Sequence, residues 1–453
     1  MHTFEMEEII LRSLTTPMKK EGYTTLKICY DYKTDKFRME ILKQWEPTLD
    51  FSRYNKDFYV ESILTDDVQY LNTGQVWELY RRYQLEDYLK EILALIRAGR
   101  HFGIQLFYHE RLKITYMSHQ HSRKLGINNK LHATLAGGIR RHSPEEEEKE
   151  VIIDGLNLGR GMSFKNVAGH LAFGGCKQTV TMDPIDLTDM ETMGFLGFCI
   201  DSSRTMTGPD MNFPTEMADV ENEHFSMNYT NGPKSPLGET GKPTAYGIYV
   251  TMKQAVRFKE GTDALDGKSV MLIGLGAVGW HMGECLLQEN VTLKVADLDT
   301  KTAERFVKEH PGRNIQIVPL EDAYYEEVDI LCPCAVGGVF YDENIPRLRC
   351  QYIWGSANNQ LRASSQEEEI RLSKLLDEQG ILFQTEWWHN TAGVICGAEE
   401  YLKGKDATYE HLIQVIDETM PASTYDNLME AQAKGITPCE NVYRKCEAVI
   451  YGD

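Results

Sequence analysis

The sequence predicts an α/β protein: a doubly wound parallel sheet in the C-terminal half, a second mixed domain before it, and an α+β extension at the N-terminus. Three observations carry this. From residue 244 onward, short apolar runs alternate with spans long enough to cross over as helices. The first hundred residues instead show period-two alternation followed by helical periodicity. At 453 residues the chain is also about three times the usual single-domain length.

In chain order, YTTLKICYDY and KFRMEILKQW alternate apolar with polar around Lys33-Thr34-Asp35, which predicts a hairpin over residues 23–45. Val76, Trp77, Leu79, Tyr80 and Tyr83, continued by Tyr88, Leu89, Ile92 and Leu95, predict helix over 75–98, before Gly99. LKITYMS and KLHATL read as strands. At Ser143-Pro144-Glu145-Glu146 a helix is expected to start, with Ser143 as cap, Pro144 at the first helical position and Glu146 completing a capping box. Glu145 to Glu148 then form a solvated acidic face at the positive end of the helix dipole.

The parallel sheet is expected from VMLIGLG (270–276), TLKVADL (292–298), IQIVP (315–319), VDILCPC (328–334), YIWGSA (352–357) and ILFQTE (381–386). After Asn390 the pattern turns helical to the C-terminus.

A formal net charge of −20 argues against partners held through phosphates, so neither nucleic acid nor an anionic membrane surface is expected. Ten cysteines lie scattered without a CxxC pair, several inside apolar runs, which predicts buried thiols and a cytoplasmic protein. MHTFEMEEIILRSL has neither a basic n-region nor a long apolar h-region, and no apolar run reaches the roughly 20 residues of a membrane span. His119-x-His121 and Cys332-Pro333-Cys334 lack a second pair of ligands, so no metal is expected.

Gly274-Leu275-Gly276-Ala277-Val278-Gly279 follows an apolar strand and opens a helical stretch. This is the Rossmann dinucleotide fingerprint: Gly274 for the tight turn, Gly276 for approach of backbone to a pyrophosphate, Gly279 for close helix–strand packing. Asp297 ends the next strand 18 residues beyond Gly279, where an acid binds the adenine ribose hydroxyls and repels the extra phosphate of NADP. The cofactor expected is NAD, with Lys294 and Lys301 as nearby cations.

Lys165 and Lys177 lie 12 residues apart, Lys177 just after Gly174-Gly175-Cys176, and Thr207-Gly208-Pro209-Asp210 follows. By themselves such lysines read as surface cations. Their setting alters that reading. The runs AGGIRRHSPEEE, GLNLGRGMSFKNVAGHLAFGGCKQTVTMDP, TGPDM, KPTAYGIYVTM, IGLGAVG, CPCAVGG, GSANNQL and NTAGVI, in this order, resemble the glutamate/leucine/phenylalanine/valine dehydrogenase family, most closely its leucine and phenylalanine branch. The resemblance covers about residues 110–450, and the first hundred residues have no counterpart in it.

The resemblance implies NAD-dependent, reversible oxidative deamination of an L-amino acid to its 2-oxo acid and ammonia by a homo-oligomer. It implies that Lys165 holds the substrate α-carboxylate, Lys177 is the catalytic base, and Asp210 exchanges a proton with the amino nitrogen. A lysine enclosed beside other cations is able to give up its proton for such work. Gly137, Gly138, Met162 and Asn359 are assigned to the substrate in the same way, and Thr244, Ala335, Asn358, Ala277 and Val278 to the cofactor.

The glutamate-specific branch carries a lysine before the paired glycines; here that position is Ala136, so a dicarboxylic substrate would leave a charge unpaired. The leucine-type pocket is lined by a leucine, an alanine and two valines, against Ala136, Gly208, Val394 and Gly397 here. This smaller set predicts a bulky or aromatic side chain, with branched-chain amino acids, or a non-catalytic NAD-binding regulatory relative, as alternatives. Pro209, Met211-Asn212, Thr385-Glu386, Trp387-Trp388 and Thr391 depart from the family pattern. The expected division is residues 1–105 as the extension, 106–235 as the substrate domain completed by helices in 395–453, and 236–394 as the dinucleotide domain.

Overall fold

In the computed structural model, which describes residues 12–46, 48–55, 69–123 and 133–452, the predicted hairpin is β1 (Thr25–Asp31) paired antiparallel with β2 (Lys36–Lys43). The chain divides into two units, one of residues 1–163 with 173–235, the other of residues 164–172 with 236–453.

In the first unit follow β3 (Gln69–Leu71), β4 (Gly103–His109), β5 (Ile114–Gln120), β6 (Leu135–Ala136), β7 (Ile139–His142), β8 (Gly174–Thr181) and β9 (Thr205–Met206). Among the described residues they form one sheet in the order β3-β2-β1-β4-β5-β8-β6-β9, with β7 also paired to β8. The helices are α1 (Thr15–Glu21), α2 (Thr73–Arg82), α3 (Glu86–Ala98), α4 (Glu148–Ala168, which belongs to this unit as far as Ser163), α5 (Met190–Ser202) and α6 (Met217–His224). Only the end of the expected strand KLHATL is seen as β6; residues 130–132 of it, like most of MHTFEMEEIILRSL, lie outside the described residues.

Residues 1–105 do not stand as a separate extension. Strand β1 pairs with β4, and one face of the sheet carries a single core in which Met18, Leu26, Val76 and Ile92 meet Leu106, Met117, Val151 and Leu156. The opposite face buries Trp45 and Phe51 with Phe107, Tyr116, Phe195 and Phe198. Because successive residues of β4 face opposite sides, Leu106 serves the first core and Phe107 the second.

The helix expected at Ser143 begins five residues later, at Glu148. Glu146 does accept from the Ser143 N–H at 2.7 Å, as a capping box requires. However, the Glu146 N–H donates to the Ser143 carbonyl at 3.1 Å, and His142 Nδ1 lies 2.7 Å from the Glu146 carboxylate, which closes a turn instead. Glu148 also departs from the solvated-face reading. It is half-buried and accepts from the Leu14 N–H at 2.7 Å, the Tyr88 hydroxyl at 3.0 Å and the Ser13 hydroxyl.

The second unit opens with α7 (Gly241–Glu260) and contains β10 (Ser269–Ile273), α8 (Ala277–Leu286), β11 (Thr292–Ala296), α9 (Thr300–Glu309), β12 (Ile315–Ile317), α10 (Leu320–Ala323), β13 (Ile330–Pro333), β14 (Tyr352–Ile353), α11 (Gln366–Glu378), β15 (Leu382–Phe383), α12 (Glu386–His389), α13 (Ala392–Lys403), α14 (Tyr409–Lys434) and α15 (Pro438–Tyr451). All six expected apolar runs supply strands. They pair in parallel in the order β12-β11-β10-β13-β14-β15, a doubly wound Rossmann sheet with its reversal between β10 and β13.

The C-terminal helices belong to this unit rather than completing the first. Leu428 of α14 shares a core with Ile248 and Met252 of α7 and with Val270 and Leu272 of β10, and Ala392, Ile395, Leu412 and Ile416 form a further cluster.

Candidate active site

Strand β8 is buried along almost its whole length, and it carries Lys177 into the first unit with 5% of its surface exposed. Asp210 reaches Lys177 through a short parallel bridge between Ile139 and Pro209. The Ile139 N–H donates to the Gly208 carbonyl and the Asp210 N–H to the Ile139 carbonyl, each at 3.1 Å. That pattern asks nothing of the residue between them, so Pro209, which has no N–H, fits without loss. The Lys177 ammonium donates to Asp210 Oδ2.

The paired glycines are required by close approach. A Cβ on Gly137 would lie 1.8 Å from the Cys176 carbonyl oxygen; on Gly138 it would lie 3.1 Å from Lys177 Nζ and 3.3 Å from Asp210 Cβ. Ala136 is buried in β6, Gly208 faces the Thr230 carbonyl, and Met162 is half-buried on α4.

The same strand edge brings in a residue that motif reading passed over. Arg140 spans two carboxylates, with Nη1 at 3.1 and 3.0 Å from the Asp154 oxygens and Nη2 at 3.5 Å from Asp210 Oδ2. Period two from Gly138 puts Arg140 and His142 on the face of Gly138, and that spacing in AGGIRRH was the available signal. Burial raises the Asp210 carboxyl, but Lys177 and Arg140 outweigh it and hold the group down at about 2. Asp154, raised by burial, is likewise held low by its His142 hydrogen bond and by Arg140.

In the second unit, Lys165 near the end of α4 donates to Asn358 Oδ1 at 3.1 Å, and Asn390 Nδ2 donates to the same oxygen at 3.0 Å. Asn359 follows in the left-handed region with φ 52°, and its N–H donates to Glu386 Oε1 at 2.6 Å. Burial, and then the charge of Glu369, push the Glu386 carboxyl up to about 7. Glu386 and Asn390, which the sequence reading did not single out as site residues, fix Asn359 and Asn358 in this way; a glutamate beside the paired tryptophans of QTEWWHN was the signal in the sequence. Trp387 and Trp388 are both buried, Trp387 packing on Phe164 and Tyr443 with ring centroids at 5.0 and 5.2 Å. Val394 and Gly397 lie three residues apart on α13, and the Thr244 hydroxyl on α7 lies 2.8 Å from where a Cβ on Gly393 would stand.

The residues of the fingerprint fit a dinucleotide. Gly274 has φ 94°, and a Cβ there would meet Ala335 at 2.8 Å. On Gly279 a Cβ would lie 1.8 Å from the Gly274 carbonyl, so α8 rests directly on the turn. Gly276 faces open space, and Gly276 and Ala277 are exposed at the N-terminus of α8, where no side chain caps the helix; Val278 packs inward. Such a terminus offers N–H groups and the positive end of a dipole to a pyrophosphate. Asp297 at the end of β11 accepts from the Leu275 N–H at 2.7 Å and the Asp299 N–H at 2.9 Å, which fixes its carboxylate beside the turn.

His119 and His121 are buried, one ring 2.9 Å from the Thr179 hydroxyl and the other 2.8 Å from that of Ser163. Cys332 and Cys334 are both free thiols. Among the described residues no helix is long and apolar enough to cross a membrane.

Residues 122–232 match the family described as Glu/Leu/Phe/Val dehydrogenase, dimerisation domain. Leucine dehydrogenase of Thermoactinomyces intermedius is 35% identical over 294 residues, which are 62% of this chain and 77% of that protein. Phenylalanine dehydrogenase of Lysinibacillus sphaericus is 31% identical over 332 residues, 70% of this chain and 81% of its own. Among solved structures, L-tryptophan dehydrogenase from Nostoc punctiforme superposes with a TM-score of 0.65 at 25% identity, covering 79% of this chain and 98% of that one. The chain belongs to the Glu/Leu/Phe/Val dehydrogenase family and is an amino-acid dehydrogenase, an oxidoreductase acting on the CH–NH2 group.

Proposed function

We propose that the protein catalyses the reversible, NAD-dependent oxidative deamination of an apolar L-amino acid with a bulky or aromatic side chain, giving the 2-oxo acid and ammonia. The observation that carries this reading is the pairing of the buried Lys177 with the half-buried Asp210 beside Gly138. NAD, when bound, supplies the acceptor for the hydride that leaves Cα. Lys177 takes the proton from the water that adds to the imino carbon, and Asp210 moves the proton at the amino nitrogen. Lys165 pairs with the α-carboxylate, and Asn358 and Asn390, through their shared hydrogen bonds, orient that ammonium.

NAD rather than NADP is supported by Asp297, which would repel a 2′-phosphate, and by Lys294, whose ammonium is tied to Glu326 at 2.6 Å. Gly276, Ala277 and the other fingerprint residues would hold the pyrophosphate of the bound cofactor, and Asp297 would bind its ribose hydroxyls. The substrate reading rests on Ala136 in place of a lysine and on the small set Ala136, Gly208, Val394 and Gly397. Relatives named as phenylalanine and L-tryptophan dehydrogenases support it, whereas those named as leucine dehydrogenases favour a branched-chain substrate instead. Assembly into a homo-oligomer follows the family, whose matched domain is described as a dimerisation domain.

The test is NADH formation across the twenty amino acids, with NADP substituted in parallel, for the native chain and Lys177→Ala. Turnover is expected with phenylalanine or another aromatic amino acid and NAD. Lys177→Ala is expected to lose at least about a thousandfold in kcat while still binding NAD. Turnover of leucine alone overturns the substrate reading, and unchanged turnover in Lys177→Ala overturns the base.

A further inference from the structure

The mechanism asks Lys177 to release and regain a proton while the Asp210 carboxylate stays beside it. With the lysine neutral, that half-buried carboxylate would lose its nearest cationic partner, and removing one charge of a partly desolvated pair carries a cost. Arg140 meets this need. Its Nη2 approaches the same oxygen, Asp210 Oδ2, that accepts from Lys177, and a guanidinium, unlike an ammonium, is a permanent cation.

The position of Arg140 is itself fixed. Its side chain is 15% exposed, and both Asp154 oxygens hold Nη1 from the far side. Asp154 lies on α4, which sits so close to the sheet that a Cβ on Gly155 would collide with the His119 ring at 2.1 Å. His142 Nε2 stands 3.4 Å from Asp154, and its Nδ1 contacts Glu146. Among the described residues, the charged and titratable groups around the pair include Arg140 and His142 from β7, Asp154 from α4, Glu146 from the turn before it, His119 opposite Lys177 on β5, the buried Cys176 next to Lys177, and the buried Tyr229. His119 is buried and neutral near pH 7. Arg140 is thus the cation nearest Asp210 after Lys177 itself among the described residues.

We propose that Arg140 is a positioning residue that keeps Asp210 ionised and neutralised when Lys177 is deprotonated, with Asp154 setting how far it reaches. The proposal rests on Lys177 being the general base. It differs from a simple structural salt bridge, because it ties the charges of Arg140 and Asp154 to the acid limb of the pH–rate profile, with opposite signs. Removing the Arg140 charge leaves Asp210 to stabilise the protonated lysine, so the limb moves to higher pH. Removing the Asp154 charge strengthens the positive field and moves it to lower pH.

The experiment is the pH profile of kcat/KM for oxidative deamination in Arg140→Gln, Arg140→Lys and Asp154→Asn. Arg140→Gln is expected to shift the acid limb up by about one pH unit, an approximately tenfold loss at the pH of the native limb that recovers in alkali. Arg140→Lys restores the native position, and Asp154→Asn shifts the limb down. Should Arg140→Gln fail to fold, the downward shift in Asp154→Asn carries the test. A uniform loss of rate at every pH, with the limb unmoved in the folded variants, overturns the proposal. Lys177→Ala, run alongside, separates the two readings: if it stays active the base assignment fails, and if it is inactive while the limb does not move, only the role of Arg140 fails.

Discussion

The backbone N–H of Asn359 donates across 2.6 Å to the carboxylate of Glu386, holding a non-glycine residue in the left-handed region in the loop that follows β14. Glu386 is 2% exposed, and its second oxygen has no partner among the described residues.

One consequence concerns stability against pH. The Glu386 carboxyl is raised to about 7 by burial and the Glu369 charge, against the backbone hydrogen bonds and Lys165, whereas an unfolded glutamate titrates near 4.3. The folded chain therefore holds the proton more tightly, and this contribution is fully present below about pH 4 and is lost as pH rises through 7. Glu386→Gln keeps an acceptor for the Asn359 N–H and removes the titration. It is expected to flatten the decline in melting temperature between pH 5 and 8; an unchanged slope contradicts the assignment.

A second prediction concerns the first unit, where His119 and His121 are lowered to about 3 and His109 to about 4, all mainly by burial. Unfolded histidines titrate near 6.5, so acid favours the unfolded chain, and stability falls as pH drops from about 6.5 toward 3. Denaturant titrations at pH 7.5, 6.0 and 5.0 should show this fall. His119→Gln, which can still reach the Thr179 hydroxyl, should reduce it.

Glu148 gives a third. Its carboxylate accepts from Ser13, the Leu14 N–H and Tyr88, joining the segment before α1 to the start of α4. Glu148→Ala leaves those donors without their acceptor and is expected to cost about 2–3 kcal/mol in denaturant unfolding. A surface glutamate of the same run, Glu147, changed to Ala should stay within about 0.5 kcal/mol. Equal effects of the two would return Glu148 to the solvated face.

Much was legible because it is local. The turn at Gly274 to Gly279, the acid at Asp297 and the six apolar runs are dictated by backbone sterics and by strands buried on both faces, so the Rossmann sheet could be read in order. The lysines and Asp210 were found through motif order rather than chemistry, since no spacing in the chain announces that residues 33 apart form an ion pair.

What the sequence by itself determined is therefore the β1–β2 hairpin, the helical stretch before Gly99, the six strands of the Rossmann sheet, the dinucleotide turn and the family. Only the tertiary structure decided which surfaces meet. Alternation in β1 showed a strand but not that it would pair with β4, so residues 1–105 became part of one sheet instead of a domain of their own. Four consecutive glutamates carry the same charge, yet Glu148 alone lands where Ser13, Leu14 and Tyr88 converge. Arg140 and Asp154 become partners because α4 lies close enough to the sheet for Gly155 to leave no room for a Cβ. A one-dimensional pattern records which way a side chain points; what it then meets depends on packing between segments far apart in the chain.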